Sequence, residues 1–125
     1  MWEKFLLVTS LSGVGAVTRS PIGAIRDCDR TRQMLRQVMD EIVSVARARR
    51  INLSDDVIER TLKFVQTFPP EATTSMQRDV INGLPSELEA QTGAVVRLGR
   101  EASVTTPVNQ FIYDSLILQE MRARR

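Results

Sequence analysis

The sequence predicts an all-α fold of six to seven helices that forms a single domain over residues 1–125. Apolar residues recur at three- and four-residue spacing in several segments, and capping or turn residues separate these segments. No segment alternates apolar and polar residues for long enough to predict a strand. The length of 125 residues suits one hydrophobic core.

The first helix is predicted over the uncharged stretch from Phe5 to Thr18. This stretch is shorter than the roughly 20 apolar residues that a membrane span needs. Glu3 beside Lys4 and the hydroxyl residues within the stretch also disagree with a signal peptide. We therefore predict a buried helix, no membrane partner and a cytoplasmic location.

Two helices are predicted in the middle of the chain. The first runs from Asp29 to Arg50, with apolar residues at helical spacing: Met34, Leu35, Val38, Ile42, Val45 and Ala46. Ser54 is predicted to cap the second, whose first turn holds two aspartates that suit the helix dipole. This helix is expected to stop at the following proline pair and to bury Ile58, Leu62, Val65 and Phe68.

Three more helices are predicted after residue 72. Residues 73–75 (Thr-Thr-Ser) form an N-cap signal for a short helix that ends near Gly83. A second helix follows Pro85 and continues to Arg100. Thr106 and Pro107 begin the last helix. Its predicted apolar stripe consists of Val108, Phe111, Ile112 and Leu116.

The composition excludes several kinds of site. There is no histidine, so Ser-His-Asp and Cys-His catalysis and histidine-bound zinc are excluded within this chain. Cys28 is the one cysteine, and it can form neither an internal disulfide nor a CxxC clip. We therefore predict no metal site, and a single thiol suits a reducing compartment.

Seventeen basic residues nearly balance fifteen acidic ones, and the net charge is +2. Arginines cluster at residues 47–50 and 122–125. Such clusters are typical of a nucleic-acid surface or of helix C-termini, where cations suit the helix dipole. Neither cluster has interleaved aromatic residues, so we predict helix ends and no nucleic-acid partner.

Gly13-Val14-Gly15 carries the first two glycines of a dinucleotide-binding fingerprint. The third glycine position holds Thr18, and no strand–helix–strand unit surrounds the motif. We therefore predict that these glycines allow close helix packing or a kink, and that this chain contains no Rossmann unit.

Three features are candidates for chemistry. Lys4 lies on one helix face with positions 8 and 12, and it either snorkels to solvent or acts on a ligand. Ser75 with Asp79 is either a helix cap beside a solvated acid or a small carboxylate-binding site. Glu87 suits the dipole at the start of its helix, which is sufficient to explain it.

Five motifs occur in order along the chain: Trp2-Glu3-Lys4-Phe5, Thr74-Ser75-Met76-Gln77-Arg78-Asp79, Pro85-Ser86-Glu87-Leu88-Glu89, Gly93-Ala94-Val95-Val96 and Thr106-Pro107-Val108-Asn109. Together they resemble the C-terminal domain of the 2-dehydropantoate 2-reductase (ketopantoate reductase) family. The resemblance covers essentially the whole chain. It implies an all-α domain similar to the C-terminal domain of 6-phosphogluconate dehydrogenase.

The resemblance implies an NADPH-dependent reductase of a small 2-keto acid, such as ketopantoate in pantothenate biosynthesis. In that family a Rossmann domain, which we do not find in this chain, binds most of the NADP(H). Lys4 matches the lysine that protonates the developing alkoxide, Ser75 the serine that binds substrate, and Glu87 the glutamate that contacts the cofactor. Ser12 is a further expected substrate contact, and Asp79 is expected to orient its neighbours.

Val8, Ser12 and Ile22 stand where well-studied members of that family have asparagines, so we expect a more apolar substrate pocket. A homodimer is the expected assembly. The alternative hypothesis is a stand-alone helical domain that dimerises or binds a partner protein without catalysis.

Overall fold

Seven α-helices and one π-helical turn make up the computed structural model, which describes residues 1–125. The helices are α1 (Trp2–Thr18), α2 (Ile22–Asp27), α3 (Asp29–Ala48), α4 (Val57–Val65), α5 (Ser75–Ile81), α6 (Ala94–Glu101) and α7 (Pro107–Ala123). The π-helical turn, Glu89–Gly93, directly precedes α6. No strand is present, and the predicted all-α class is confirmed. None of the helices combines the length and the apolar character that a membrane span requires.

Helix α1 runs through the centre of the fold and packs against α2, α3, α4, α5, α7 and the π-helical turn. The helix is buried continuously from Thr9 to Ala16, as its uncharged sequence predicts. Gly15 lies so close to the buried Gln77 side chain that a Cβ there would be 2.8 Å from Gln77 Cδ. The prediction that these glycines allow close helix packing is confirmed for Gly15.

The core consists of 20 buried apolar residues contributed by every α-helix. Helix α3 begins at Asp29 as predicted and buries Leu35, Val38 and Ile42 on the expected face. The arginine clusters lie at the C-terminal ends of α3 and α7, which confirms their assignment to helix ends.

The start of α4 differs from the prediction. The helix begins at Val57, and Ser54 does not cap it: the Ser54 hydroxyl accepts a hydrogen bond from the Arg60 guanidinium at 2.7 Å. Residues 55–56 form a turn, so α4 begins later than predicted. The buried face of the helix changes as a result. The buried positions are therefore Val57, Thr61 and Val65, while the predicted Ile58, Leu62 and Phe68 are only half-buried.

Helix α2 is absent from the sequence prediction, and it is bonded to the turn that follows α4. Arg26 of α2 donates to the carbonyl oxygens of Val65 at 3.0 Å and Phe68 at 2.8 Å. The Val65 carbonyl also accepts from the Phe68 N–H at 3.2 Å, so the chain turns directly after α4 and Arg26 ties this turn to α2. Helix α4 ends at Val65, before the proline pair that was expected to end it.

The start of α7 is held by Glu41 of α3. Its carboxylate accepts hydrogen bonds from the Val108 and Asn109 backbone N–H groups, each at 2.9 Å, whereas Thr106 makes no side-chain cap. Phe111 was predicted to be buried but is 71% exposed. The buried face of α7 passes through Asn109, Ile112, Leu116 and Glu120, which leaves Phe111 on the opposite side.

Candidate functional site

The segments that carry the predicted site residues meet along α1. Lys4 and Ser12 belong to α1, which packs against α5, whose first residue is Ser75, and against the π-helical turn, which follows Glu87. Lys4 and Ser12 are eight residues apart, which corresponds to about 12 Å along a helix axis. Lys4 and Ser12 therefore lie at different levels of α1, and the segments that carry Ser75 and Glu87 pack against this same helix.

Lys4 is exposed at the start of α1 and forms no hydrogen bond or ion pair with another residue. The neighbouring acid Glu3 is held by Arg60, whose Nη1 lies 3.0 Å from Glu3 Oε1. The Lys4 ammonium therefore keeps its hydration and its positive charge has no counter-ion within the chain. It is available to a carbonyl or an anion that approaches this end of α1.

A pocket of about 560 Å³ opens beside Lys4, between the start of α1 and the segment formed by the π-helical turn and α6. Lys4 has the one charged side chain in its lining, and six of the nine lining residues are apolar. Val8 belongs to this lining, as expected from the replacement of a family asparagine, whereas Ile22 lies in the core. The pocket can hold an apolar group next to an ammonium.

Ser12 is completely buried, and its Oγ donates a hydrogen bond to Thr74 Oγ1 at 3.0 Å. Thr74 Oγ1 also accepts from the Gln77 backbone N–H at 3.2 Å, so Thr74 is the N-cap of α5. The prediction of Ser75 as the cap is wrong, because Thr74 has the extended backbone of a capping residue and Ser75 is already helical. The Ser75 side chain is exposed at this helix start.

Glu87 is exposed, and its carboxylate has no hydrogen-bond partner in the chain. Its carbonyl oxygen accepts from the Gln91 N–H at 3.0 Å, which fixes the backbone one turn before the pocket. Asp79 is half-buried, and its carbonyl oxygen accepts from the Leu84 N–H at 2.9 Å. Its side chain makes no hydrogen bond to a neighbour that it could orient.

The segment that carries Glu87 is tied to α7 by a buried carboxylate. Glu120 accepts hydrogen bonds from Ser86 Oγ at 2.5 Å and from the Ser86 N–H at 3.0 Å, and Arg124 Nε lies 2.7 Å from it. Burial alone would raise the pKa of Glu120, but the hydrogen bonds from Ser86 and Arg124 outweigh it and lower the pKa overall. Glu120 is therefore ionised at neutral pH.

Three residues near the site were not singled out from the sequence. Thr74 was one of three consecutive hydroxyl residues, among which the sequence does not choose a cap. Thr9 lines the pocket, but its spacing does not distinguish it from Ser10, which bonds to the Leu6 carbonyl at 2.6 Å. Gln91 reaches the pocket through the π-helical turn, which the periodicity of the sequence does not reveal.

Comparison with known proteins places the chain among ketopantoate reductases. The sequence model described as "Ketopantoate reductase PanE/ApbA C terminal" matches residues 1–120. The 2-dehydropantoate 2-reductase of Caulobacter vibrioides is 30% identical over 111 residues, which cover 89% of this chain and 38% of the relative. The corresponding enzyme of Halobacterium salinarum is 28% identical over 120 residues, which cover 96% of this chain and 39% of the relative.

The dimeric ketopantoate reductase from Staphylococcus aureus has the same helical arrangement, with a TM-score of 0.91 and 28% sequence identity. The similarity covers 98% of this chain and 43% of that structure. The chain thus spans about two-fifths of the length of these relatives. It belongs to the ketopantoate reductase PanE/ApbA family, whose C-terminal domain it matches.

Proposed function

We propose that the chain is the substrate-binding and proton-donating domain of an NADPH-dependent 2-keto acid reductase. The observation that carries this proposal is the position of Lys4, an ammonium without a counter-ion at the edge of an apolar pocket of about 560 Å³. Membership of the ketopantoate reductase family supports the reaction class. The substrate is accordingly a small 2-keto acid, and the product is the corresponding 2-hydroxy acid.

Lys4 is assigned as the proton donor. The nicotinamide supplies the hydride when the cofactor is bound. As the carbonyl carbon of the substrate gains the hydride, its oxygen takes the electron pair of the broken π bond, and Lys4 Nζ gives that oxygen a proton. An ammonium can both stabilise the growing negative charge and release a proton, whereas a guanidinium keeps its proton.

Ser75 is assigned to the substrate and Ser12 to the positioning of Ser75. The exposed Ser75 hydroxyl can donate a hydrogen bond to the substrate carboxylate. Ser12 is buried and cannot reach a ligand directly, but its bond to Thr74 holds the cap that begins α5. Asp79 lies one turn further along α5 and is assigned a supporting role there.

Glu87 is assigned to the cofactor. Its exposed carboxylate fits a contact with a hydroxyl or carboxamide N–H of NADP(H), because no group of the chain competes for it. The glycines of the GVG motif are buried inside α1 and do not form a phosphate-binding loop. We therefore assign to this chain one edge of the cofactor site, with most of the binding supplied by a separate Rossmann domain.

A homodimer formed through α7 is the proposed assembly. Phe111, Leu118 and Met121 are 71%, 56% and 56% exposed and lie on one side of α7. The S. aureus relative is a dimer. The same apolar stripe favours the alternative function, a helical dimerisation or interaction domain that does not take part in catalysis.

The assignment of Lys4 is tested by joining this chain to the part of the C. vibrioides enzyme that it does not cover. We expect Lys4→Ala to lower kcat by roughly 10²–10⁴ with little change in cofactor affinity, as measured by NADPH oxidation with a 2-keto acid. Lys4→Arg should recover only a small part of the rate. Lys63→Ala, at the other lysine, is the control and should leave kcat unchanged. The chain alone should oxidise no NADPH.

A structural role for Lys4 gives a different result. If Lys4 only snorkels at the helix start, Lys4→Arg has near-normal kcat and Lys4→Ala lowers the melting temperature without lowering turnover. That outcome would overturn the proton-donor assignment and favour the alternative function.

A further inference from the structure

Three side chains from different segments meet at the π-helical turn. Glu89, the first residue of the turn, accepts a hydrogen bond at Oε1 from the Tyr113 hydroxyl of α7. Its Oε2 lies 3.0 Å from Nη1 of Arg97, which belongs to α6. Both oxygens of one carboxylate are therefore bonded to helices that follow the turn. These three residues form the Glu89 cluster.

The tyrosine distinguishes the Glu89 cluster from an ordinary surface ion pair. The side chains of Glu89 and Arg97 are 48% and 56% exposed, and such a pair alone contributes little to stability. Tyr113 is half-buried, and its bond to the Glu89 carboxylate is charge-assisted. This bond, together with burial, raises the pKa of Tyr113 to about 12, so the hydroxyl stays protonated and keeps donating near neutral pH.

The Glu89 cluster packs directly against Gly93, the last residue of the turn. A Cβ on Gly93 would lie 2.8 Å from Glu89 Oε2 and 3.2 Å from both Arg97 Nη1 and Tyr113 Cε1. Gly93 has ordinary helical angles, φ −58° and ψ −40°, so its lack of a side chain serves this close approach. The next residue, Ala94, already lines the pocket beside Lys4.

The Glu89 cluster also contacts the backbone that makes the turn wide. The Gly93 N–H donates at 2.9 Å to the Leu88 carbonyl, five residues earlier. A regular α-helix would use the Glu89 carbonyl, four residues earlier, and Arg97 Nη2 donates to that carbonyl at 3.4 Å. Gln91 lies in the middle of the turn and lines the pocket. A return to regular α-helix would therefore shift this wall of the pocket.

We infer that Glu89 is a positioning residue for the pocket beside Lys4. Held by Tyr113 and Arg97, it keeps the turn wide and fixes Gln91 opposite α1. No residue of the Glu89 cluster lines the pocket, so the cluster acts through the turn and not by contact with a ligand. The effect on catalysis rests on the proposed function, whereas the effect on the turn does not.

Amide hydrogen exchange of the 125-residue protein, followed by NMR, tests the effect on the turn. We expect Glu89→Ala and Tyr113→Phe each to speed exchange of the Gly93 N–H at least about tenfold, because its hydrogen bond opens locally. Exchange of a core amide, that of Ile42 in α3, should change less than about threefold. Glu59→Ala is the matched control, since it removes an exposed glutamate–arginine pair between α4 and α3, and it should leave the Gly93 exchange unchanged.

Kinetics of the protein joined to the C. vibrioides segment test the effect on the pocket. We expect Glu89→Ala and Tyr113→Phe to raise KM for the 2-keto acid roughly 3–30-fold, with kcat and KM for NADPH within about twofold, because the pocket wall moves while Lys4 stays in place. Gly93→Ala should act in the same way, since its Cβ displaces the Glu89 carboxylate. Combined with Glu89→Ala, it should add no further increase.

Wild-type Gly93 exchange in the variants of the Glu89 cluster would overturn the inference, and so would an equal change at Gly93 and Ile42, which indicates general loss of stability. Faster Gly93 exchange with an unchanged KM overturns the link to the pocket. If the joined wild-type protein reduces no keto acid, the proposed function fails. The emission of Trp2, which lines the pocket, then decides: a shift in the variants supports the inference, and unchanged emission overturns it.

Discussion

Glu120 shows how one residue supports the proposed site without touching a ligand. It is 5% exposed and holds Ser86, the residue before Glu87, through backbone and side-chain hydrogen bonds. The carboxylate also meets the Arg124 guanidinium. Because these bonds favour the charged form, the pKa of Glu120 lies below its ordinary value of 4.5.

The lowered pKa predicts a pH-dependent contribution of Glu120 to stability. A carboxyl group whose pKa is lower in the folded state stabilises the fold above pH 4.5, and this contribution disappears as the pH falls through the folded-state pKa. We expect Glu120→Gln to lower the free energy of unfolding at pH 7 by about 1–3 kcal/mol. The difference from the wild type should shrink as the pH falls from 5 towards 3.

Urea denaturation at several pH values measures this difference. Glu71→Gln, at an exposed acid, is the control and should follow the wild-type pH curve. Parallel pH curves for Glu120→Gln and the wild type would show that the charge of Glu120 does not stabilise the fold.

At the scale of the elements, the approach of α5 to α1 depends on Gly15. The Gln77 side chain lies against this glycine and donates from Nε2 to the Ser20 carbonyl at 2.8 Å. Gly13, two residues earlier, has room for a Cβ, with Ile112 Cγ2 at 3.4 Å and Thr92 Oγ1 at 3.5 Å. A Cβ therefore fits at Gly13 but would clash with Gln77 at Gly15.

This difference predicts opposite effects of the same substitution. We expect Gly15→Ala to lower the free energy of unfolding by about 1–3 kcal/mol, because Gln77 must move and lose its bond. Gly13→Ala should be neutral or stabilise the protein by up to about 1 kcal/mol, because alanine favours the helix. Urea denaturation of both variants measures this, and equal effects would contradict the packing argument.

At the scale of the whole molecule, the apolar stripe on α7 predicts self-association. We expect the wild-type chain to form a dimer, and Phe111→Glu to raise its dissociation constant at least about tenfold, because a charge would enter a desolvated contact. Sedimentation velocity over a range of concentrations measures both. Phe64→Glu, at an exposed phenylalanine of α4, is the control and should not alter association.

Two results would contradict dimerisation through α7. The first is a wild-type chain that stays monomeric at high concentration, and the second is an equal effect of the Phe64 and Phe111 substitutions. Either result would leave the stripe available to another protein surface.

The sequence by itself determined the all-α class, the position of most helices and the burial of α1. These properties follow from local patterns, namely helical periodicity, uncharged length and turn residues, and local patterns act on neighbouring residues of the chain. The family resemblance also identified Lys4, Ser75 and Glu87 as candidates, and it agrees with the family comparison. Their catalytic and binding roles stay predictions.

Only the tertiary structure decided how the helix ends are satisfied and what surrounds Lys4. Glu41 caps α7 from 67 residues away, and Arg26 holds the end of α4 from another helix. Thr9 of α1 and Gln91 of the π-helical turn line the same pocket. The sequence could not predict these features, because each depends on side chains from distant segments that only the packed core brings together.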